Sequence, residues 1–115
     1  MDVQEQIFTE ASAAAEKAAN DYIAKYGDGA MCGFAWVDVR PARGPFVNWC
    51  KKAGKAHGDR GGNIHGRPGY NGGWSFWNPS RNYTQSIDVK EAGAAAFAQV
   101  LRSYGIDASV GSRLD

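Results

Sequence analysis

The sequence predicts an α+β domain in which a small mixed sheet of three to four strands carries two long helices on one face. Two alanine-rich segments have apolar residues at the three- and four-residue spacing of helices. Short runs rich in aromatic and β-branched residues predict the strands. Eight of the fifteen glycines fall between Gly54 and Gly73, which predicts a long glycine-rich loop. A chain of 115 residues is expected to form one domain, 1–115.

The first helix is predicted to run from Val3 to Tyr26. Asp2 and Glu5 have the spacing of a capping box, in which the first side chain accepts a hydrogen bond from an early helix amide. Apolar residues then recur at helical spacing, and Gly27 supplies the stop. The many alanines allow close approach to a sheet or to a second helix. The apolar stripe therefore indicates packing rather than contact with a membrane.

A strand and a short basic helix are predicted next. Residues 31–40, MCGFAWVDVR, are rich in aromatic and β-branched side chains and are apolar on both faces, which predicts a strand inside a sheet. Residues 46–53 are predicted to form a short helix that Gly54 closes. The apolar side of this helix would face the core, and its lysines would point towards solvent.

The second half of the chain predicts a hairpin, a helix and a last strand. Residues 74–77 and 83–87 are predicted strands, and the turn-forming residues 78–82 lie between them. A second capping-box pattern precedes a predicted helix over 89–104. A right-handed crossover through this helix would place a final strand, 107–111, in the same sheet.

Three stretches carry a resemblance to other proteins: CGFAWV at 32–37, KEAGAAAFAQVLRSYGI at 90–106 and the C-terminal SRLD. The chain resembles uncharacterised small bacteriophage and prophage proteins that have a GFAWV strand, an alanine-rich helix and an SRLD-like end. The resemblance does not extend to the glycine-rich loop, and it brings no known activity. It implies a protein that acts on a host system in the cytoplasm of a bacterial cell.

The N-terminus and the cysteines also predict a cytoplasmic protein. MDVQEQIFTE is polar and acidic where a secretory signal has basic residues before an apolar run. The sequence has no apolar run of about 18 residues, the length that a membrane-spanning helix needs. Cys32 and Cys50 form neither a CxxC pair nor a disulfide framework, so both are expected to be reduced.

Charge is distributed unevenly along the chain. The formal net charge is only +1, but residues 40–81 contain eight lysines and arginines against Asp59 alone, a local charge of +7. The rest of the chain carries −6. This separation predicts a local surface that attracts anions, on a protein that is not a general polycation.

The same segment interleaves cations with aromatic residues, a combination typical of proteins that bind single-stranded nucleic acid. Cations pair with phosphates and aromatic rings stack on bases, while glycines let backbone N–H groups approach an anion. We therefore predict non-catalytic binding of a nucleic acid or nucleotide, without a cofactor or metal. The predicted ligand-binding residues are Lys51, Lys52, Lys55, Arg60, His65, Arg67, Tyr70, Trp77, Arg81, Tyr83 and Arg113. For Trp74 and Phe76, packing in the core is the favoured interpretation.

Two alternative functions stay open at this point. A protein that inhibits a host protein, or acts as an adaptor for one, would use the same tryptophan, tyrosine and arginine residues as an interface. The glycine-rich loop also holds His57, Asp59 and His65, which could bind a divalent metal and cleave a phosphodiester. Their spacing matches neither HExxH nor a zinc finger, and the chain has no Walker A or GxGxxG motif in the required context. Assembly into a homo-oligomer is compatible with the small core.

Overall fold

The computed structural model describes residues 2–29, 31–59, 64–70 and 72–115. Within these residues, three helices and four strands follow in the order α1 (Val3–Tyr26), β1 (Gly33–Val39), α2 (Pro45–Ala56), β2 (Arg67–Pro68), β3 (Trp74–Trp77), α3 (Ile87–Ser103) and β4 (Ala108–Leu114). The predicted α+β class and both long helices are confirmed. None of these helices is long and apolar enough to cross a membrane.

The strands form one sheet in the order β2-β3-β1-β4, and each described pair is antiparallel. From β1 onward the chain has the β-α-β-β-α-β connectivity of split β-α-β domains, with α1 added in front. The inner strands β1 and β3 are therefore close in space although α2 and β2 separate them in sequence. Such a topology says nothing about function, which depends on the side chains that the sheet presents.

The predicted hairpin is wrong, and so is the start of the predicted crossover, whereas the predicted last strand does lie in the same sheet, as β4 beside β1. Segment 83–87 does not form a strand, and Ser86 makes only an isolated antiparallel bridge with Cys32. The chain turns away from β3 because Asn78 and Arg81 adopt left-handed backbone conformations, with φ of 47° and 55°. Consequently β3 pairs with β1 and with β2, which lies inside the glycine-rich segment, and the sheet is antiparallel rather than mixed.

Two helix ends differ from the prediction, one because packing outweighs a local signal and the other because a different residue caps the helix. Gly54 does not end α2, since a glycine inside a helix costs only about 1 kcal/mol and the apolar side of α2 is buried. The helix α3 begins before residue 88, and Ser86 caps it by accepting a hydrogen bond from the Val89 backbone N–H at 3.4 Å. At α1 the predicted cap is confirmed, with Asp2 accepting from the N–H two residues later at 2.7 Å.

One face of the sheet packs against the helices and forms the core. Val37, at the centre of β1, is fully buried, and the Phe76 ring of β3 lies 5.0 Å from the Phe97 ring of α3, between centroids. Core packing of Trp74 and Phe76 is confirmed, since they are only 7% and 2% exposed. Both cysteines are free, and Cys50 belongs to the same core. Burial raises the pKa of its thiol to about 12.

Truncation of Phe97 should test this packing. The ring is 1% exposed and contacts the rings of Phe76 and Phe8, so Phe97→Ala is expected to lower the free energy of unfolding by about 3–5 kcal/mol. Urea denaturation followed by circular dichroism measures this change. Gln99→Ala, at an exposed position of the same helix, is the control and should shift stability by less than about 0.5 kcal/mol. Similar values for the two variants would contradict the packing.

Candidate functional site

The face of the sheet opposite the helices is open. Along β1 the buried residues alternate with Phe34, Trp36 and Asp38, which are only partly buried. The described helices pack on the other side, so these side chains remain accessible. We call this surface the open face. Strand register assigns it Phe34, Trp36, Asp38, Arg67, Ser75, Trp77, Ser109, Gly111 and Arg113.

Strand register arranges the open face in three rows that run across the strands. A polar row consists of Arg67, Ser75, Asp38 and Ser109. An aromatic row consists of Trp77, Trp36 and Gly111. A third row consists of Phe34 and Arg113. Because directly opposed residues on neighbouring strands have Cβ atoms about 4.5–5.5 Å apart, each row is a continuous strip of side chains.

The aromatic row forms a platform. The indoles of Trp36 and Trp77 are parallel within 4°, with ring centroids 5.3 Å apart, and the Phe34 ring lies 5.5 Å from Trp77. Trp36 extends over Gly111, where a Cβ atom would lie 2.4 Å from the indole Cε2. Trp77 is 38% exposed. Each indole covers part of the face of the other, and the part that stays accessible can stack on flat ligands.

Cations lie on both sides of this platform. The Arg113 guanidinium is 5.6 Å from the Phe34 ring centroid, and Lys90 Nζ, from α3, is 5.2 Å from the same ring. Arg67 is exposed on β2, beyond the opposite edge of the aromatic row. A groove of about 830 Å³ runs along the open face. Four residues predicted from the sequence line it: Arg67, Tyr70, Trp77 and Arg113.

Two further predicted residues lie at the margin of the open face. Arg81 and Tyr83 line a smaller groove of about 400 Å³ at the end of β3, together with Phe34 and Trp77. Tyr83 is 87% exposed. The groove thus extends the aromatic and cationic surface past the end of the strand, and the structure brings these two residues next to the platform.

The predicted lysines lie elsewhere. Lys51, Lys52 and Lys55 belong to α2, which packs on the covered face of the sheet. Two of them, Lys51 and Lys55, line a separate groove of about 640 Å³, which Arg67 also borders. The cationic segment of the sequence is therefore divided between two surfaces. The remaining predicted cation of the loop, Arg60, lies outside the described residues.

His65 lies inside the protein rather than on the open face. It is 7% exposed, and its ring stacks on Phe8 with centroids 4.9 Å apart. The Asp59 carboxylate accepts hydrogen bonds from the backbone N–H groups of Ile64 and His65, at 3.0 and 2.6 Å. These contacts hold the glycine-rich segment together. Among the residues that the structure describes, no three His, Cys, Asp or Glu side chains form a group that could bind a metal.

The surroundings of His65 and Asp59 lower the pKa of both groups. Burial lowers the pKa of the His65 imidazole, and this effect outweighs the nearby Asp59 carboxylate, 3.4 Å from Nδ1. For Asp59, burial alone would raise the pKa. Hydrogen bonds from the His65 and Ile64 backbone outweigh that effect and hold the pKa below its usual value. At neutral pH the imidazole is therefore held in its uncharged form and the carboxylate in its ionised form.

The side chains that β1 places on the open face were not among the predicted site residues. The strand β1 was predicted to have two apolar faces inside a sheet; the strand is indeed an inner one, but only one of its faces is covered. A signal was present in the alternation, because small Ala35 and Val37 alternate with Trp36 and Asp38. Asp38 lies on the same face of the strand as Phe34 and Trp36. A carboxylate on that face indicates that the face is exposed to water.

No protein-family model, no curated protein and no solved structure matches this chain. The function of the open face therefore has to be argued from its own geometry. That geometry combines stacked indoles, flanking cations and a polar row on one accessible surface.

The pair of His65 and Asp59 should make the protein less stable in acid. Both pKa values are lower in the folded state, so the unfolded chain takes up protons first as the pH falls. The contribution of His65 should be complete above its ordinary pKa of 6.5 and should be lost as the pH falls below it. Asp59 should add a further loss below its ordinary value of 3.8.

Urea denaturation at a series of pH values between these limits measures the effect. The unchanged protein should lose stability on acidification below pH 6.5, and His65→Gln, which has no imidazole to protonate, should lose less. If the free energy of unfolding fell equally in the two proteins over this interval, a lowered pKa of the buried His65 would be contradicted.

Proposed function

We propose that the open face binds single-stranded nucleic acid without cleaving it. The observation that carries the proposal is the parallel pair of an exposed Trp77 and a partly buried Trp36 on the two inner strands, on the side of an antiparallel sheet that the helices do not cover. Sheets that bind single-stranded RNA place aromatic residues on such a surface and stack two or three bases on them.

The geometry favours a single strand over a duplex. Rings can stack on bases only when the bases are splayed out, because in a duplex both sides of each base are occupied. Proteins that read a duplex in its major groove insert a helix or a two-stranded ribbon into it. In the described residues the open face is a broad sheet surface with a shallow groove along it, which fits an extended strand lying across the sheet.

The flanking cations define a path for such a strand across the sheet. Arg67 lies on the β2 side of the aromatic row and Arg113 lies on the β4 side. A strand whose bases stack on Trp36 and Trp77 would bring its phosphates past both arginines. Each phosphate that is neutralised releases counterions, so the affinity should fall as salt is raised.

The predicted residues thus have unequal roles in this proposal. Arg67, Tyr70, Trp77 and Arg113 would contact the strand directly, and Arg81 and Tyr83 would extend the site past the end of β3. The lysines of α2 and the buried His65 are not part of the interface. Action on a host system in the bacterial cytoplasm, and assembly into a homo-oligomer, remain predictions.

The position of Trp36 can be tested through Gly111. A methyl group at residue 111 would lie 2.4 Å from the Trp36 indole, so Gly111→Ala should displace this ring and weaken oligonucleotide binding by about 1–3 kcal/mol, the value of one stacked base. Gly29→Ala is the matched control, because a Cβ atom at residue 29 meets nothing within 4 Å. Equal affinities in the two variants would argue against stacking on Trp36.

Direct removal of contacts gives the main test of the function. Trp77→Ala should weaken binding of a short labelled single-stranded oligonucleotide by about 1–3 kcal/mol through lost stacking. Arg113→Ala should weaken binding to different sequences about equally and lower the salt slope by about 1. Fluorescence anisotropy at several salt concentrations measures both effects, and circular dichroism confirms that each variant is folded.

Lys52→Ala is the control for charge, since it removes a cation from the exposed side of α2 and leaves the open face unchanged. It should bind almost as tightly as the unchanged protein. If Lys52→Ala lost binding while Trp77→Ala kept it, the site would lie on α2. If no oligonucleotide bound at low salt, the proposal would be wrong, and a host protein would become the candidate ligand of the open face.

A further inference from the structure

Asp38 is a carboxylate in the middle of a surface that otherwise carries cations. It lies in the polar row, directly between Ser75 and Ser109. In the described part of the chain, no lysine, arginine or histidine nitrogen lies within 4.0 Å of its carboxylate. A carboxylate that is not paired with a cation repels phosphate. A group of this kind at the centre of a nucleic-acid site therefore has to face something other than the backbone of the strand.

The carboxylate is held next to the stacking platform. Trp36 donates a hydrogen bond from its indole Nε1 to Asp38 Oδ2 at 3.2 Å. Because residues i and i+2 of a strand lie on one face and about 6.6–6.8 Å apart, the polar row is the immediate neighbour of the aromatic row. Trp36 and Asp38 both line the groove of the open face, so a base that stacks on the accessible part of this indole can turn one edge towards the carboxylate, which the bond from Nε1 holds in place.

The chemistry of a carboxylate selects among the bases. An ionised carboxylate only accepts hydrogen bonds, and its two oxygens have about four lone-pair sites, so Oδ2 can accept again beside the indole. The Watson–Crick edge of guanine presents two adjacent donors, N1–H and the N2 amino group. Adenine and cytosine place an acceptor nitrogen next to their amino group, and thymine and uracil flank N3–H with two carbonyl oxygens. Those acceptors would face the carboxylate and repel it.

We propose that Asp38 makes the open face selective for guanine, by accepting hydrogen bonds from N1–H and the N2 amino group of a base stacked on Trp36. This inference rests on the proposed function, because it assumes that a base stacks there. The guanine could belong to a strand or to a free nucleotide, and both would present the same edge to Asp38.

The test compares thymine oligonucleotides that differ in one central base. A central guanine should bind about tenfold more tightly than a central adenine, cytosine or thymine, within the range of one bidentate base contact. Inosine, which lacks the N2 amino group, should lose much of this advantage. Asp38→Asn should bring the ratio of affinities for guanine and thymine close to one, because the amide replaces one acceptor with a donor.

Glu16→Gln is the control, since it removes the same charge from an exposed residue of α1, on the side of the sheet that the helices cover. It should keep the guanine preference. Loss of repulsion alone would raise the affinity for all sequences and would leave the ratio unchanged, so the ratio distinguishes recognition from electrostatics. Preference for guanine that persisted in Asp38→Asn would overturn the inference.

The remaining outcomes separate this inference from the proposed function. Equal binding of all central bases, still weakened by Trp77→Ala, would overturn guanine selection and leave single-strand binding intact. No binding of any oligonucleotide or of guanosine monophosphate would overturn both. If guanosine monophosphate competes with the oligonucleotide and adenosine monophosphate does not, a free nucleotide suffices as the ligand. Guanine preference without such competition identifies the strand.

Discussion

The pairing of β1 on both of its edges is the constraint on which the rest of the structure depends. Successive side chains of a strand point to opposite faces, so the register with β3 and β4 places Val37 in the core and Trp36 on the open face. A shift of the register by one residue would exchange the two sets of side chains. The core and the proposed binding surface are therefore determined by the same hydrogen-bond ladder.

The elements with strong local signals could be predicted from the sequence. The helix α1 follows its capping signal, its apolar period and its terminal glycine from Val3 to Tyr26. By contrast, β2 has only two residues and lies among glycines, where no period is visible. Segment 83–87 has strand-like composition, but β2 pairs with β3 in its place. Which of the two segments pairs with β3 depends on hydrogen bonds across the sheet. Local composition does not encode that choice.

The candidate site was only partly predictable for a related reason. Charge and aromatic content identified Arg67, Trp77 and Arg113, whose residue types are informative wherever they lie. The same criteria also included His65, which the structure buries. Trp36 and Asp38 carry a weaker signal, because the alternation along β1 indicates an accessible face but does not show which residues of other strands share it. Residue type therefore indicates which side chains could bind a ligand, whereas packing by other elements decides which of them are accessible to it.

The distribution of charge limits how the proposed site can work. The net charge of the chain is +1, the lysines of α2 lie away from the open face, and Asp38 opposes phosphate at its centre. Non-specific attraction should therefore contribute less to binding than in a strongly basic protein. The affinity has to come largely from stacking on the indoles, which accepts every base about equally. Selectivity can then arise only at the edges of the stacked bases, where unfavourable contacts with the wrong base matter as much as favourable contacts with the right one. On the open face, the carboxylate held by Trp36 is the side chain placed to supply both.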